Sequence, residues 1–509
     1  MDPLFEIKLD LATKGSRQAS KSLYRQLKAA ILDGRLAPGA KLPVPRMSSR
    51  FLGVSRNTAT VVYERLADDG HVVTRRGSGS YVADVADGKR ARAARRAGRK
   101  PEARGADRRL NSFWLRPDIT AAMDFWRDQQ PASAQSVTPA RSAAAAIDFR
   151  PALIDSRLFP FDLFRQVSVK QLRKLESRPA CYKSPQGNQG HYPLRDAITR
   201  HIALTRAVVC EPDDVLVTSG AQQAFDLLAR VLVTPDDTVV AVEDPGYPPM
   251  RVAFAAAGAR LVPVRVDDEG LIVEQLPSDV RIICVCPSHQ FPLGVTMSAR
   301  RRQALVAFAR RRGAVIIEDD YDGEFRYEGS PLEALRTADA EDVVCYVGTF
   351  SKCMLPALRL GFIVAPVWAM RSLISAKNCM DWHCPTPMQM GVARFISEGH
   401  LERHVRRLRR VYKERREVIL NLLTADLDPW LKPVTSSYGL HVAAEVRTRL
   451  DMDRVSKKLL REHVKVHAFS RYYLGAAAKA GLIFGYGAVD PAQIRQGFSA
   501  LRRVLALAH

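Results

Sequence analysis

The sequence predicts two folds in one chain: a small module of three helices and a hairpin, then a large α/β domain built on a mainly parallel sheet. Three observations carry this. At 509 residues the chain is too long for a single hydrophobic core. Its formal charge of +23 is unevenly spread, with 14 Lys/Arg against 8 Asp/Glu in residues 1–85 and 10 against 3 in residues 86–110. From Ile147 onward, continuous apolar runs such as V-L-V-T-S-G, R-I-I-C-V-C-P and A-V-I-I-E-D-D-Y alternate with helical patterns. That is the signature of parallel strands covered on both faces.

The basic excess at the N-terminal end favours a polyanionic partner, with nucleic acid first among candidates. The eight cysteines lie mostly in apolar runs and form no C-x-x-C pair, so reduced, buried thiols are expected and a metal site is not. Residues 1–15 lack the apolar core of a signal peptide, and no apolar run reaches membrane-spanning length. A soluble cytoplasmic protein, associated with the nucleoid and not with a membrane, is expected.

In the N-terminal module, expected to span residues 15–85, Leu23, Leu27 and Ile31 recur every four residues and give a helix with one apolar stripe, ended by Gly34. A second short helix is expected over Pro45–Leu52, closed by Gly53. Ser55 caps a third, S-R-N-T-A-T-V-V-Y-E-R-L-A-D-D-G, whose Val62 and Leu66 face back onto the first. Two β-like pieces follow, H-V-V-T-R and S-Y-V-A-D, joined by R-G-S-G. This is the layout of a winged helix-turn-helix. Its third helix would enter the major groove N-terminus first, presenting Arg56, Asn57 and Thr58. Gly77 and Gly79 suit a tight wing turn, with Arg75 and Arg76 in reach of the backbone.

Residues 86–145 begin A-D-G-K-R-A-R-A-A-R-R-A-G-R-K, almost without apolar bulk, and cannot build a core. They read as a flexible basic tether, either plainly solvated or adding non-specific affinity for DNA. Phe113, Trp114, Phe125 and Trp126 interrupt it as a candidate docking helix.

The polar signatures of residues 146–509 fall where strands end, the edge at which such sheets bind ligands. Lys352 follows the strand V-V-C-Y-V-G-T-F, a place suited to a lysine that bonds an aldehyde cofactor. Pyridoxal phosphate needs such an amine. Its ring nitrogen needs a carboxylate, available in Asp319, and its ring hydroxyl a donor, available in Tyr321 two residues on. Its phosphate needs backbone N–H groups at a helix start and a cation. Gly220, Ala221 and Gln222 supply the first, Arg359 the second, and Thr349 adds a hydroxyl. Tyr247 in E-D-P-G-Y-P would cover the ring face.

L-A-P-G-A-K-L-P-V-P-R, G-V-S-R-N-T, Y-E-R-L-A-D-D-G and R-R-G-S-G-S-Y-V resemble the DNA-binding domain of GntR regulators. Y-K-S-P-Q-G, L-V-T-S-G-A-Q-Q-A, P-S-H-Q-F-P-L-G, I-E-D-D-Y-D-G-E-F-R-Y, G-T-F-S-K and Y-G-L-H resemble the effector domain of the MocR subfamily. Its members join a winged helix-turn-helix to an aspartate-aminotransferase-like, fold-type-I domain. The resemblance implies DNA contacts from Arg46, Arg56, Asn57 and the wing around Arg76 and Gly77; with Ser55 and Thr58 at the start of the third helix these make the expected DNA-facing set. It implies an internal aldimine on Lys352 and a head-to-tail homodimer with the cofactor sites at its interface. There are two departures from aminotransferases. Phe291 replaces an asparagine, and Gly481 holds the place of the arginine that clamps a substrate carboxylate, with Arg471 as a conceivable substitute.

These features together predict a transcriptional regulator that binds a double-stranded DNA operator and senses pyridoxal phosphate alone or as its aldimine with a small amine effector. It would control vitamin B6 or amine and amino-acid metabolism genes. The alternative is a working aminotransferase with a DNA-binding appendage, which the missing clamp disfavours.

Overall fold

The computed structural model describes residues 17–75, 78–83, 113, 116, 147–176, 187–329, 333–339, 342–434, 436–475 and 479–507. The chain divides into two compact units, Met1–Leu110 and Asn111–His509. The expected tether and its aromatic patch lie outside the described residues, apart from Phe113 and Arg116.

In the first unit α1 (Arg17–Leu32), α2 (Pro45–Leu52) and α3 (Arg56–Asp68) close on a small core. Leu23, Leu27 and Ile31 of α1 meet Val62, Tyr63 and Leu66 of α3. The helix boundaries follow from caps. Pro45 opens α2, Gly53 closes it at φ 65°, and Ser55 accepts a hydrogen bond from the Thr58 amide at 3.0 Å to start α3. The hairpin is a three-stranded sheet, not two pieces alone. β1 (Lys41–Leu42) pairs with β3 (Gly79–Val82), which pairs with β2 (Val72–Arg75). A two-residue strand is too short to show alternation, so β1 left no signal in the sequence.

The second unit begins with β4 (Ile147–Asp148), α4 (Phe161–Arg173) and α5 (Tyr192–Arg206). Its main sheet contains β5 (Val215–Thr218), β6 (Val239–Asp244), β7 (Arg260–Asp267), β8 (Gly270–Leu271), β9 (Ile282–Val285), β10 (Val315–Asp320), β11 (Val344–Thr349) and β12 (Gly361–Val364), in the order β5-β12-β11-β10-β9-β6-β7-β8. All run parallel except β8 and β12. Helices α6 (Ala221–Leu232), α7 (Pro248–Ala256), α8 (Ala299–Arg312) and α9 (Val367–Met380) cover it. One face buries Phe225, Leu228, Phe254, Ile317 and Val347, the other Ile283, Val285, Leu305, Ile316 and Val344. At about 25 cal/mol per Å2, such two-sided burial is what holds a parallel sheet together.

The reversal of β12 was not foreseen, and it matters. Because β11 turns straight back into β12, residues 350–360 form one connection at the carboxyl edge of the sheet, and Lys352 and Arg359 both ride on it. Beyond α10 (Thr386–Ser397) and the long α11 (His400–Ala425) lies a small antiparallel sheet. It comprises β13 (Leu431–Pro433), β14 (His441–Val446), β16 (His467–Ala468) and β17 (Gly481–Gly485). Between β14 and β16 come α12 (Met452–Arg461) and β15 (Val464–Lys465), which pairs with β4, and α13 (Pro491–Ala506) ends the unit. No helix among the described residues is long and apolar enough to cross a membrane.

Candidate cofactor site and nucleic-acid interface

Strand alternation decides which carboxylate of V-I-I-E-D-D faces the site. Glu318 and Asp320 turn to one side of β10. Glu318 accepts from the Leu335 and Arg336 amides at 2.9 and 3.1 Å. Asp320 pairs with Arg206 at 2.6 Å and accepts from the Tyr346 hydroxyl at 2.5 Å. Asp319 turns to the other side and, among the described residues, has one weak donor, the Cys286 thiol at 3.7 Å from Oδ2. Among the same residues its buried Oδ1 has no hydrogen-bond partner. Burial above all, with Asp320 adding repulsion, pushes the Asp319 carboxyl up to about 8.

Lys352, partly buried, donates from Nζ to the Ala152 carbonyl at 2.7 Å. Burial pushes its ammonium down to about 8, while Asp322 and Asp319 pull the other way. A lysine so depressed has a substantial neutral fraction near neutral pH, which is what attack on an aldehyde requires.

At the opening of α6, Gly220 is the N-cap at φ 78° and no side chain caps the helix. The N–H groups of Ala221 and Gln222 in the first turn therefore face an open helix start. Arg359, itself at φ 48°, donates to the Ser219 carbonyl at 2.9 Å and lies against Gly220, where a Cβ would sit 2.9 Å from Nη2. Gln222 donates to the Pro249 carbonyl at 3.2 Å and leaves its Oε1 buried without a partner. Thr349, at the end of β11, spends its hydroxyl locally, donating to Ser351 Oγ at 3.0 Å.

Tyr247 precedes α7 and packs edge-on against Phe291 at 5.5 Å, and Phe291 in turn meets Tyr321 at 5.8 Å. Buried Arg251 fixes the turn carrying Tyr247 by bonding the carbonyls of Gly246 and Tyr472. Tyr321 bonds His289, a residue the sequence reading quoted within a motif but gave no role. At Gly481 a Cβ would lie 2.3 Å from the Ala444 carbonyl and 2.5 Å from the Phe469 ring, so the strand start has no room for a side chain. Arg471 sits half-buried in the turn Phe469–Tyr472.

Pyridoxal phosphate fits these residues. The bare Asp319 Oδ1 lacks a cationic N–H donor, the depressed lysine lacks a carbonyl carbon, and an open helix N-terminus beside a guanidinium is a place for a phosphate.

The first unit carries the opposite kind of surface. Arg46, Ser55, Arg56 and Asn57 are exposed and Thr58 half-exposed, on the start of α2 and the start of α3. Among the described residues neither Arg46 nor Arg56 is held in an ion pair. The Ser55 and Thr58 hydroxyls bond each other at 2.8 Å. Ser48 and Tyr63, joined at 2.8 Å in the core, lock α2 to α3 and so set the presentation of Arg56 and Asn57. Arg75 stacks on Tyr81 at 5.2 Å, whereas Arg76 and Gly77 lie outside the described residues.

Comparison with known proteins separates the two units in the same way. Residues 19–82 match bacterial regulatory proteins of the gntR family, and residues 166–501 match aminotransferase class I and II. The chain is 32% identical to the probable rhizopine catabolism regulatory protein MocR of Rhizobium meliloti, over 95% of this chain and 92% of that protein. It is 31% identical to the HTH-type pyridoxine biosynthesis transcriptional regulator PdxR of Corynebacterium glutamicum, over 93% of each. Among solved structures it is similar to the Pyrococcus horikoshii kynurenine aminotransferase in complex with PMP, with a TM-score of 0.66 and 25% identity, covering 76% of this chain and 98% of that one. The fold, the fitted site and the fused DNA-binding module converge: the chain belongs to the MocR-type transcriptional regulators, pyridoxal-phosphate-binding proteins that join a GntR helix-turn-helix to a fold-type-I aminotransferase-like domain.

Proposed function

We propose that Lys352 carries the aldehyde carbon of pyridoxal phosphate, and that the cofactor, alone or with an amine, is the signal the protein reads on DNA. When bound, the cofactor supplies an electrophilic carbon and an electron-withdrawing ring. The chain's own residues do the holding. Asp319 keeps a proton on the ring nitrogen, and Tyr321 donates to the ring oxygen. Gly220, Ala221, Gln222, Thr349 and Arg359 hold the phosphate, and Tyr247 shields the ring face. The observation that carries this reading is the buried, unpartnered Asp319 Oδ1 at the same sheet edge as a depressed lysine.

A winged helix over residues 15–85, a tether over 86–145 and an effector domain over 146–509 would let the signal act at a distance. In this arrangement a cytoplasmic head-to-tail homodimer shifts between two placements of its winged helices on a nucleoid operator, according to what the effector domain binds. Support comes from the division near Leu110, inside the proposed tether, and from the exposed arginines of α2 and α3. The crowded start of β17 favours a ligand without an ordinary α-carboxylate, either the vitamin itself or an amine that carries another acid group such as a sulfonate. Its gene targets would then lie in vitamin B6 or amine metabolism. In the test, the purified protein takes up the cofactor and gains a visible absorption band that Lys352→Ala lacks. A wild-type protein that stays colourless with the cofactor present overturns the reading.

A further inference from the structure

Three motifs far apart in the chain meet at one buried point that the roles above leave unused: P-S-H-Q at His289, E-D-D-Y-D at Asp322, and Y-G-L-H at His441. His289 is 2% exposed, His441 2% and Asp322 1%. His289 Nδ1 lies 3.0 Å from Asp322 Oδ2 and 2.9 Å from the Tyr321 hydroxyl oxygen, and that hydroxyl lies 3.0 Å from the His289 carbonyl. We propose that His289 and Asp322 are positioning residues for Tyr321, holding its hydroxyl oxygen through His289 Nδ1 so that its proton is free to turn toward the cofactor ring.

The proton count supports this assignment. Burial pushes the His289 imidazole down to about 3, so it is neutral; burial also raises the carboxyl of Asp322 beside it and keeps His441 neutral, and the charge acting on the ring is Arg416 at longer range. Among the described residues His289 Nε2 is buried without a hydrogen-bond partner, whereas Nδ1 has the Asp322 and Tyr321 oxygens in reach, so the one proton of the neutral ring sits on Nδ1. Nδ1 then cannot accept from Tyr321. The tyrosine donates to the His289 carbonyl, and its oxygen sits where Nδ1–H reaches it. When a ring oxygen arrives, the Tyr321 proton rotates from the carbonyl to that oxygen while Nδ1–H still anchors the phenol. A hydroxyl that accepts an N–H is also a stronger donor.

The ring cannot drift from this post. Gly439, at φ 88°, lets the backbone approach so closely that a Cβ there would lie 1.9 Å from His289 Cε1. The His441 ring stacks at 4.6 Å, its own Nε2 bonded to the Pro292 carbonyl at 2.9 Å. Ligand atoms of His289, Asp322 and His441 also lie within 4.8 Å of one another. His289 Nδ1 and His441 Nε2 are engaged in hydrogen bonds, and we read the cluster as a hydrogen-bonded relay. His441 belongs to β14, so the small sheet braces the residue that orients Tyr321.

This rests on Tyr321 facing the cofactor ring, and the experiment separates the two claims. In cofactor-loaded protein the pH at which the visible band is lost is measured for Tyr321→Phe, His289→Leu, His289→Asn, Asp322→Asn and their doubles with Tyr321→Phe. A hydrogen bond from Tyr321 draws charge off the ring oxygen, so weakening it lets the band persist to higher pH. The expected shift is upward by about half to one pH unit, the size set by one hydrogen bond. It should be largest in Tyr321→Phe, smaller in His289→Leu, smaller again in His289→Asn, whose amide N–H reproduces Nδ1–H, and the His289 effect should vanish when Tyr321→Phe is already present. Should His289→Leu not fold, His289→Asn and Asp322→Asn complete the cycle. Equal shifts with and without the tyrosine hydroxyl, or wild-type titration in the folded His289 and Asp322 variants, overturn the proposal. Wild-type titration in Tyr321→Phe removes the placement of Tyr321 and the proposal together.

Discussion

The winged unit keeps its candidate functional side chains in water, while the effector unit buries the carboxylates and the imidazole of its site and leaves Arg359 exposed at the phosphate end. Arg46, Arg56 and Asn57 project from helix starts over a core of a few leucines and valines, and nothing in that core depends on them. Asp319, His289 and Asp322 lie inside the protein, and burial pushes the Asp319 carboxyl up to about 8. Polyanions are met at a surface by groups that stay hydrated until contact, so reading DNA costs the fold little. A small aldehyde is held by groups desolvated in advance, so binding it strains the empty fold. In this protein the sensor half should therefore trade stability against function and the reader half should not.

The sharpest way to break that contrast is Asp319→Asn. Asp319 titrates near 8 in the fold against about 4 in an unfolded chain, so its contribution favours the fold at acid pH and is lost as pH rises from about 4 through 8. The cofactor-free variant should be more stable than wild type at pH 8, by on the order of 3 kcal/mol, in denaturant melts that converge toward pH 5. Its affinity for pyridoxal phosphate should fall by roughly a hundredfold. A destabilised variant would contradict the strained-site half of the contrast.

Next in size, Arg56→Ala should weaken operator binding by about 1–3 kcal/mol in gel-shift titrations. The melting curve should stay within about 0.5 kcal/mol of wild type. Unchanged operator affinity would remove α3 as the reader. Gly220→Ala forces a Cβ into a φ of 78° against the Arg359 guanidinium, and should cost about 1–2 kcal/mol, seen as a roughly tenfold weaker cofactor dissociation constant with DNA affinity intact. Smallest is Ser55→Ala, which removes the α3 cap and should cost the winged unit about 1 kcal/mol in thermal melts, with a DNA loss no larger than that. An operator defect well beyond it would mean that Ser55 itself meets the DNA.

Much of this was legible in the sequence because it is local. Ser55 and Gly53 announce helix ends, and the alternation of V-I-I-E-D-D sends Asp319 one way and its neighbours the other. Lys352 stands out as a lysine at the end of a buried strand. What the chain order hides is what needs distance. The reversed β12 can be known only from its pairing with β5 and β11. The meeting of His289, Asp322 and His441 joins segments that periodicity treats separately. Where the Thr349 hydroxyl points was likewise not legible: it donates to Ser351 Oγ at 3.0 Å.

The crowding at Gly481 bears on redesign as well as ligand choice. A strand start whose missing Cβ space is filled by the Ala444 carbonyl and the Phe469 ring does not admit an arginine by one substitution. The aromatic ring would have to shrink and the paired strand shift in the same step. An arginine placed there would disturb the packing of this strand start before it could meet a carboxylate, so installing one would take several simultaneous changes.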